Sequence, residues 1–280
     1  MATLSSLLWN PGLGNSGLGD SGRLEPEADE GGDDAPLVVA DSWLVAEGRV
    51  LALDLHRARF FAAIAPEKQA QLRLDAFWAA ALAQIPRTGH WFPRVELRDG
   101  NGTQGRGAQR LALRLRSAPP LGTTLTAITH HGADPRRQPH VKGPDFAALA
   151  GLRRAAHARG ADEAIIVGGA GEVVDGASTA ILWWRGQTLC APPSSLARVD
   201  SVTAKTLLTL ATALGTEIRY EAAQPRELDA LEVWAVNALH GIRPITAWID
   251  GPAMAGQSAR ASAWRARMNA LATPLTPPRP

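Results

Sequence analysis

Lysine is scarce in this 280-residue chain. Only Lys68, Lys142 and Lys205 occur, and the other 26 of its 29 basic residues are arginine. Chemistry that needs an amine nucleophile therefore has three possible homes. Cysteine occurs once, at Cys190, which excludes an internal disulfide and any metal site built from several thiolates. The residues around it, Thr188 to Pro192, read as the end of a strand, so a buried, inert thiol is expected. Excess charge is also small. A net +2 offers no electrostatic footprint for a nucleic-acid partner. No apolar run approaches the ~18 residues that would span a bilayer, and no basic segment leads into an apolar stretch at the N-terminus. A soluble, cytoplasmic protein without a membrane partner is expected.

What the chain does contain is an ordinary globular mixture, 45% hydrophobic and 20% charged, long enough for two modest domains. Residues 1–36 are rich in Gly, Ser, Asp and Glu without apolar periodicity, and are expected to form a disordered tail. Structure is expected to begin at Leu37, with short strands on either side of the turn Glu47-Gly48. A helix follows from Asp54 to Ile64, and a second from Pro66 to Ile85. Two alternating segments, Trp91 to Arg98 and Arg110 to Arg116, complete a small α+β unit that ends at the Pro-rich break Ala118-Pro119-Pro120. The domain limits are thus 37–120 and 121–272, with 273–280 a loose Pro-rich tail.

In the second domain a strand at Thr123 to Ile128 leads through a polar loop to Lys142 and a helix from Pro144 to Arg159. Strands are expected at Glu163 to Val167, Val173-Val174, Ala180 to Trp184, Thr188 to Cys190, Glu217 to Tyr220, Glu232 to Val236 and Ile245 to Ile249, with a helix at Val202 to Leu214. The strands and helices lack a regular βαβ rhythm, which argues against a doubly wound nucleotide-binding fold.

Position separates the three lysines. Lys68 opens an amphipathic helix and Lys205 sits one turn into another, so both read as surface residues. Lys142 ends a polar loop, in His140-Val141-Lys142-Gly143-Pro144, directly before a helix. The segment Asp200-Ser201-Val202-Thr203 opens a helix. Its residues are ordinary caps, and the same geometry aims backbone N–H groups and the positive dipole end at an anion. His130, His131 and His140 crowd the polar loop. They have no acidic partner at ligand spacing, so a solvated loop is the simpler reading than a metal site.

From about Asp41 to Gly251, the order and spacing of these motifs resemble the class IV aminotransferase family. Its members hold pyridoxal 5'-phosphate (PLP) on a two-domain fold-type IV scaffold of α/β (α+β) class. A small N-terminal α+β domain precedes a larger mixed α/β domain, and the proteins are usually homodimers. The resemblance implies PLP as a Schiff base on Lys142, which precedes a helix and then Gly160-Ala161-Asp162-Glu163-Ala164. It implies a phosphate contact from Arg59, within His56-Arg57-Ala58-Arg59. It places the acid facing the pyridine nitrogen at Asp175, in Gly171-Glu172-Val173-Val174-Asp175, and the phosphate turn at Ser201, Val202 and Thr203. Asn237, in Asn237-Ala238-Leu239, falls in the last cofactor-binding motif.

The same resemblance carries departures. The family's Glu is Asp175 here, its following Asn is Ala180, and the Arg after the phosphate turn is Ala204. The Asn-Tyr after the lysine is Asp145-Phe146, and Tyr220 is the only tyrosine. The Asn-Ala-Leu motif is closest to 4-amino-4-deoxychorismate lyase, which implies release of 4-aminobenzoate and pyruvate for folate synthesis, with Ser42 nominated to assist elimination. A branched-chain or D-amino-acid transaminase is the alternative. A fold relative without PLP chemistry is the third. Under either enzymatic reading a small amino substrate is the partner, and Arg94, Arg98 and Arg243 are candidates to bind its carboxylate.

Overall fold

The fold is described from a computed structural model, which describes residues 4–11, 22–27, 35–100, 107–256 and 259–276. The chain divides into two compact units. One comprises Met1–Pro119, Lys142–Pro144 and Ala272–Pro280, and the other Pro120–Val141 and Asp145–Leu271.

The first unit contains strands β1 (Leu4–Asn10), β2 (Arg23–Pro26), β3 (Leu37–Ser42), β4 (Val45–Ala46) and β5 (Arg49–Val50). Helices α1 (Leu53–Ala62), α2 (Pro66–Gln71) and α3 (Leu74–Gln84) follow, and then β6 (His90–Trp91), β7 (Arg94–Gly100) and β8 (Gly107–Arg116). An antiparallel five-stranded sheet runs β2-β1-β8-β7-β3. Along β7, Val95 and Leu97 alternate with Arg94, Glu96 and Arg98, and they pair across to Leu113 and Leu111 of β8. This period-two alternation gives the sheet one apolar and one charged face. Helix α1 packs against β3. Trp43, Trp78 and Phe60 form an aromatic core, with Trp43 and Trp78 centroids 5.1 Å apart. The β4–β5 hairpin turns at Glu47 and Gly48, both at positive φ, as a two-residue turn of this twist requires.

Three expectations are corrected here. The segment expected to be a disordered tail contributes β1 and β2, and β1 pairs with both β2 and β8. Its anchor is Trp9, which is buried and donates from Nε1 to the Leu72 carbonyl at 2.9 Å. The helix expected over Pro66 to Ile85 is two helices. It breaks at Arg73, which adopts a left-handed conformation, and the Trp9 indole bonds the Leu72 carbonyl at that break. The Pro-rich tail is likewise part structured: Thr273–Pro274 pairs with β5. Residues 1–3, 12–21, 28–34 and 277–280 of these tails lie outside the described residues.

The second unit contains β9 (Leu125–His130), α4 (Phe146–Ala158), β10 (Glu163–Val167), β11 (Val173–Gly176), β12 (Ala180–Arg185) and β13 (Thr188–Ala191). After them come α5 (Val202–Ala213), β14 (Ile218–Tyr220), β15 (Glu232–Asn237), β16 (Gly241–Ile249) and α6 (Ala259–Ala270). An eight-stranded mixed sheet runs β11-β10-β9-β16-β15-β12-β13-β14. Its core gathers Ile165, Ile181, Trp183, Val233 and Trp248. A separate group of Trp184, Trp234 and Trp264 stacks edge-to-face around α6. Helix α6 had no counterpart in the sequence reading. No helix among the described residues is long and apolar enough to cross a membrane.

Trp9→Ala removes a docked indole and its hydrogen bond, and is expected to destabilise the protein by about 3 kcal/mol in chemical denaturation. An unchanged midpoint would show that β1 does not dock.

Candidate functional site

In the first unit, β3 and α1 assemble a buried charge cluster. Asp41 of β3 is fully buried. His56 and Arg59, three residues apart on α1, share one face of that helix. Asp41 Oδ1 accepts from His56 Nδ1, from Arg59 Nη2 and from the Ser42 backbone N–H, at 2.8, 2.8 and 2.7 Å. Asp41 Oδ2 accepts from Arg59 Nε at 2.8 Å, so the arginine is gripped bidentately and its plane is set. Burial opposes the Asp41 charge, but the Arg59 guanidinium and the hydrogen bonds from His56 and Arg59 hold its carboxyl well below the usual range. Burial pushes His56 down, against the hydrogen bond and charge of Asp41, and the nearby Arg59 and Lys142 charges add to the lowering. The contact with the Asp41 carboxylate places a proton on Nδ1.

Lys142 enters this unit through its backbone. Its carbonyl accepts from the Ala40 N–H of β3 at 2.7 Å. Gly143 permits the approach: it sits at φ 131°, and a Cβ there would lie 2.7 Å from the Ala40 nitrogen. A side chain at 143 would push the lysine off the strand. The other two lysines are surface residues, Lys68 on Gln109 at 2.9 Å and Lys205 3.7 Å from Asp200.

In the second unit, Asp175 of β11 is buried. Its Oδ1 has no hydrogen-bond partner, and its Oδ2 lies 3.6 Å from Arg136 Nη1. Burial pushes its carboxyl up to about 7, against the lowering pull of Arg136 and Arg198. Ser201 caps α5, its hydroxyl accepting from Ala204 N–H at 3.3 Å. That leaves the N–H groups of Val202 and Thr203 in the first turn, where no intrahelical carbonyl reaches them. Asp145, at the position departing from Asn-Tyr, closes the loop before it by accepting from the N–H groups of Arg137 and Gln138 at 3.0 and 2.9 Å.

The remaining candidates are engaged locally. Asn237 closes its own turn: its Oδ1 accepts from Leu239 and His240 N–H at 3.2 and 2.8 Å. Arg94 and Arg98 both grip the buried Glu96, and Arg98 also reaches Glu27 at 2.9 Å. Arg243 lies in the second unit, where burial and the Arg153 charge lower it against Glu163 and Asp162. Ser42 is buried on β3, paired in register with Arg94. Sequence reasoning missed Arg136 and the acid Glu96. Alternation along β7 marks Glu96 as sharing a face with Arg94 and Arg98, whereas nothing periodic marks Arg136. Among the described residues no three His, Cys, Asp or Glu side chains group as a metal site.

The family model for amino-transferase class IV matches residues 38–248, three quarters of the chain. The chain belongs to the class IV aminotransferase family. Solved structures of that fold superpose over nearly its full length. A fold IV-transaminase from Curtobacterium pusillum is 18% identical, covering 95% of this chain and 97% of that one at a TM-score of 0.71. A branched-chain aminotransferase from Thermoproteus uzoniensis with norvaline is 19% identical over 91% and 97%, at a TM-score of 0.71. A hypothetical aminotransferase from Mycobacterium tuberculosis in PLP-bound form is 16% identical over 96% and 98%, at a TM-score of 0.69. No curated protein matches the chain.

The cofactor of the family is PLP, and the residues present fit it. A buried carboxylate oxygen without a donor, Asp175 Oδ1, suits a protonated pyridine nitrogen. The α5 N-terminus suits a phosphate. The sign of the Asp175 effect without cofactor is definite. Its folded value exceeds the ordinary 3.8, so stability is lost as pH rises from that value through about 7. Asp175→Asn is therefore expected to raise the melting temperature of the cofactor-free protein at pH 8 and leave it nearly unchanged at pH 4. A lower melting temperature at pH 8 would contradict this.

Proposed function

We propose that the chain is a PLP-dependent enzyme acting on a small primary-amine substrate, with Lys142 as the lysine that carries the cofactor. The backbone seating of Lys142 on β3 carries this reading: one lysine of three is placed by the fold, and the other two are solvated on the surface. PLP, when bound, draws electrons from the amine-bearing carbon of the substrate. In this reading Arg59 and the N–H groups of Val202 and Thr203 hold the phosphate, and Asp41 sets the orientation of Arg59. Asp175 holds the ring nitrogen. Lys142 would remove the proton from the amine-bearing carbon. A homodimer is the assembly that the resemblance implies.

At the level of the reaction, the reading is a lyase of the 4-amino-4-deoxychorismate type. Loss of that proton and departure of the enolpyruvyl group as pyruvate leave 4-aminobenzoate, and the Ser42 hydroxyl assists the departure. The turn closed by Asn237 supports this, because the family's transaminases carry a Thr-rich turn in its place. Transamination of branched-chain or D-amino acids is the second reading, favoured by solved relatives such as the Thermoproteus uzoniensis enzyme. Arg94, Arg98 and Arg243 remain candidates for a substrate carboxylate, with Arg94 and Arg98 shared by Glu96.

Protein loaded with PLP is expected to show the visible band of lysine-bound cofactor and to release pyruvate from 4-amino-4-deoxychorismate without a keto-acid acceptor. Lys142→Ala is expected to lose the band and slow pyruvate release by about a thousandfold. A requirement for a keto acid would transfer the protein to the transaminase reading. Absence of the band in the parent would sink both.

A further inference from the structure

Arg136 lies on the loop that leaves β9, with its side chain only 3% exposed. It is anchored to the residue two before it. Nε donates to Asp134 Oδ1 and Oδ2 at 3.0 and 3.1 Å, and Nη2 to Asp134 Oδ2 at 2.7 Å. Its backbone N–H closes on Asp134 Oδ1 at 3.0 Å, and Nη2 also reaches the Ala197 carbonyl at 3.1 Å. That leaves Nη1, 3.6 Å from Asp175 Oδ2. One guanidinium thus spans two carboxylates, gripping Asp134 and standing just off Asp175. The planar fork lets one side chain face both acids.

The other charges around Asp175 are few. Arg198 also favours its ionised form, but its guanidinium is committed to the carbonyls of Pro192 and Pro193 at 2.7 and 2.6 Å. Glu163 opposes the Asp175 charge, and the cross-strand neighbour is the apolar Ile166. The Arg136 charge is in turn supported by Asp134, Asp175 and Asp145. Among the charges acting on Asp175, Arg136 is the strongest that favours ionisation.

We propose that Arg136 is a positioning residue: standing 3.6 Å from Asp175 Oδ2, its cation favours the carboxylate form, so that Oδ1 is presented as an anion to the protonated ring nitrogen of PLP. The proposal rests on the reading of Asp175 as the partner of that nitrogen. Asp175 is shorter by one methylene than the family's Glu, and Arg136 places a cation beside the carboxylate that this shortening leaves on a briefer tether. Without Arg136, burial shifts the balance further toward the neutral acid. A neutral acid can share a hydrogen bond with the ring but does not keep a proton on it.

The test loads parent, Arg136→Gln, Arg136→Lys and Asp175→Asn proteins with PLP labelled with 15N in the ring. Each is followed by the 15N chemical shift from pH 6 to 9, beside the visible band of lysine-bound cofactor. In Arg136→Gln the band is expected to persist, while the pH at which the nitrogen loses its proton falls by about one unit, a tenfold loss of proton affinity. Arg136→Lys, which keeps the cation, is expected to retain most of that affinity. Should the Gln variant not fold, Arg136→Met is measured in its place and read in the same way. A nitrogen titration identical to the parent's in a folded Gln or Met variant overturns the proposal. A nitrogen that stays protonated in Asp175→Asn instead overturns the underlying assignment of Asp175, whatever the Arg136 variants do.

Discussion

The hydrogen bond from the Ala40 N–H to the Lys142 carbonyl is the constraint on which the candidate site depends. A lysine side chain has four rotatable bonds, and ordering it by its own contacts costs about 2 kcal/mol of rotamer entropy. Here the fold places the backbone instead. Lys142–Pro144 groups with the first unit although its chain neighbours on both sides belong to the second, and Gly143 makes the close approach to β3 sterically possible. The same strand carries Asp41 one residue beyond Ala40. Its grip on His56 and Arg59 is therefore built in register with the lysine's own attachment point. A division of the chain at a single boundary cannot express this arrangement.

Two buried aspartates show how environment separates identical side chains. Asp41 meets four donor contacts, from His56, Arg59 and the Ser42 N–H, and is held ionised despite full burial. Asp175 has one oxygen with no donor and a guanidinium at 3.6 Å rather than in contact, and it titrates near neutrality. Burying an ion is tolerable only when partners replace its lost water. Asp41 is thus a finished internal structure, whereas Asp175 is an acceptor awaiting a donor. This difference separates a residue that positions other side chains from one suited to meet a ligand.

Much of this was legible in the sequence, for identifiable reasons. With three lysines, the one placed in a polar loop before a helix stands apart. The strands of the second unit are apolar runs bounded by turn residues, and Ser201 is a recognisable cap. Other features carried no readable signal. Strand β1 has neither alternation nor charge patterning, and its docking depends on one indole meeting a carbonyl at a helix break far along the chain. Helix α6 buries Ala261, Trp264 and Met268, a spacing of helical period, but alanine contributes so little hydrophobicity that arginines dominate the segment. Arg136 sits in a loop without periodicity, and its partner Asp175 is brought near only by the pairing of β10 with β11 and the path of the loop after β9. Asn237 illustrates the reverse case: the motif is visible, yet its amide oxygen is spent on closing its own turn and its nitrogen on the Ser178 carbonyl.

The central claim is that Lys142, and no other amine of the chain, carries the cofactor. Borohydride reduction of the PLP-loaded protein, followed by proteolysis and mass spectrometry of the peptides, tests it most directly. The account predicts a single pyridoxyl-phosphate adduct on the peptide containing Lys142, with Lys68 and Lys205 unmodified. An adduct on either of those lysines in its place, or none at all, would contradict it.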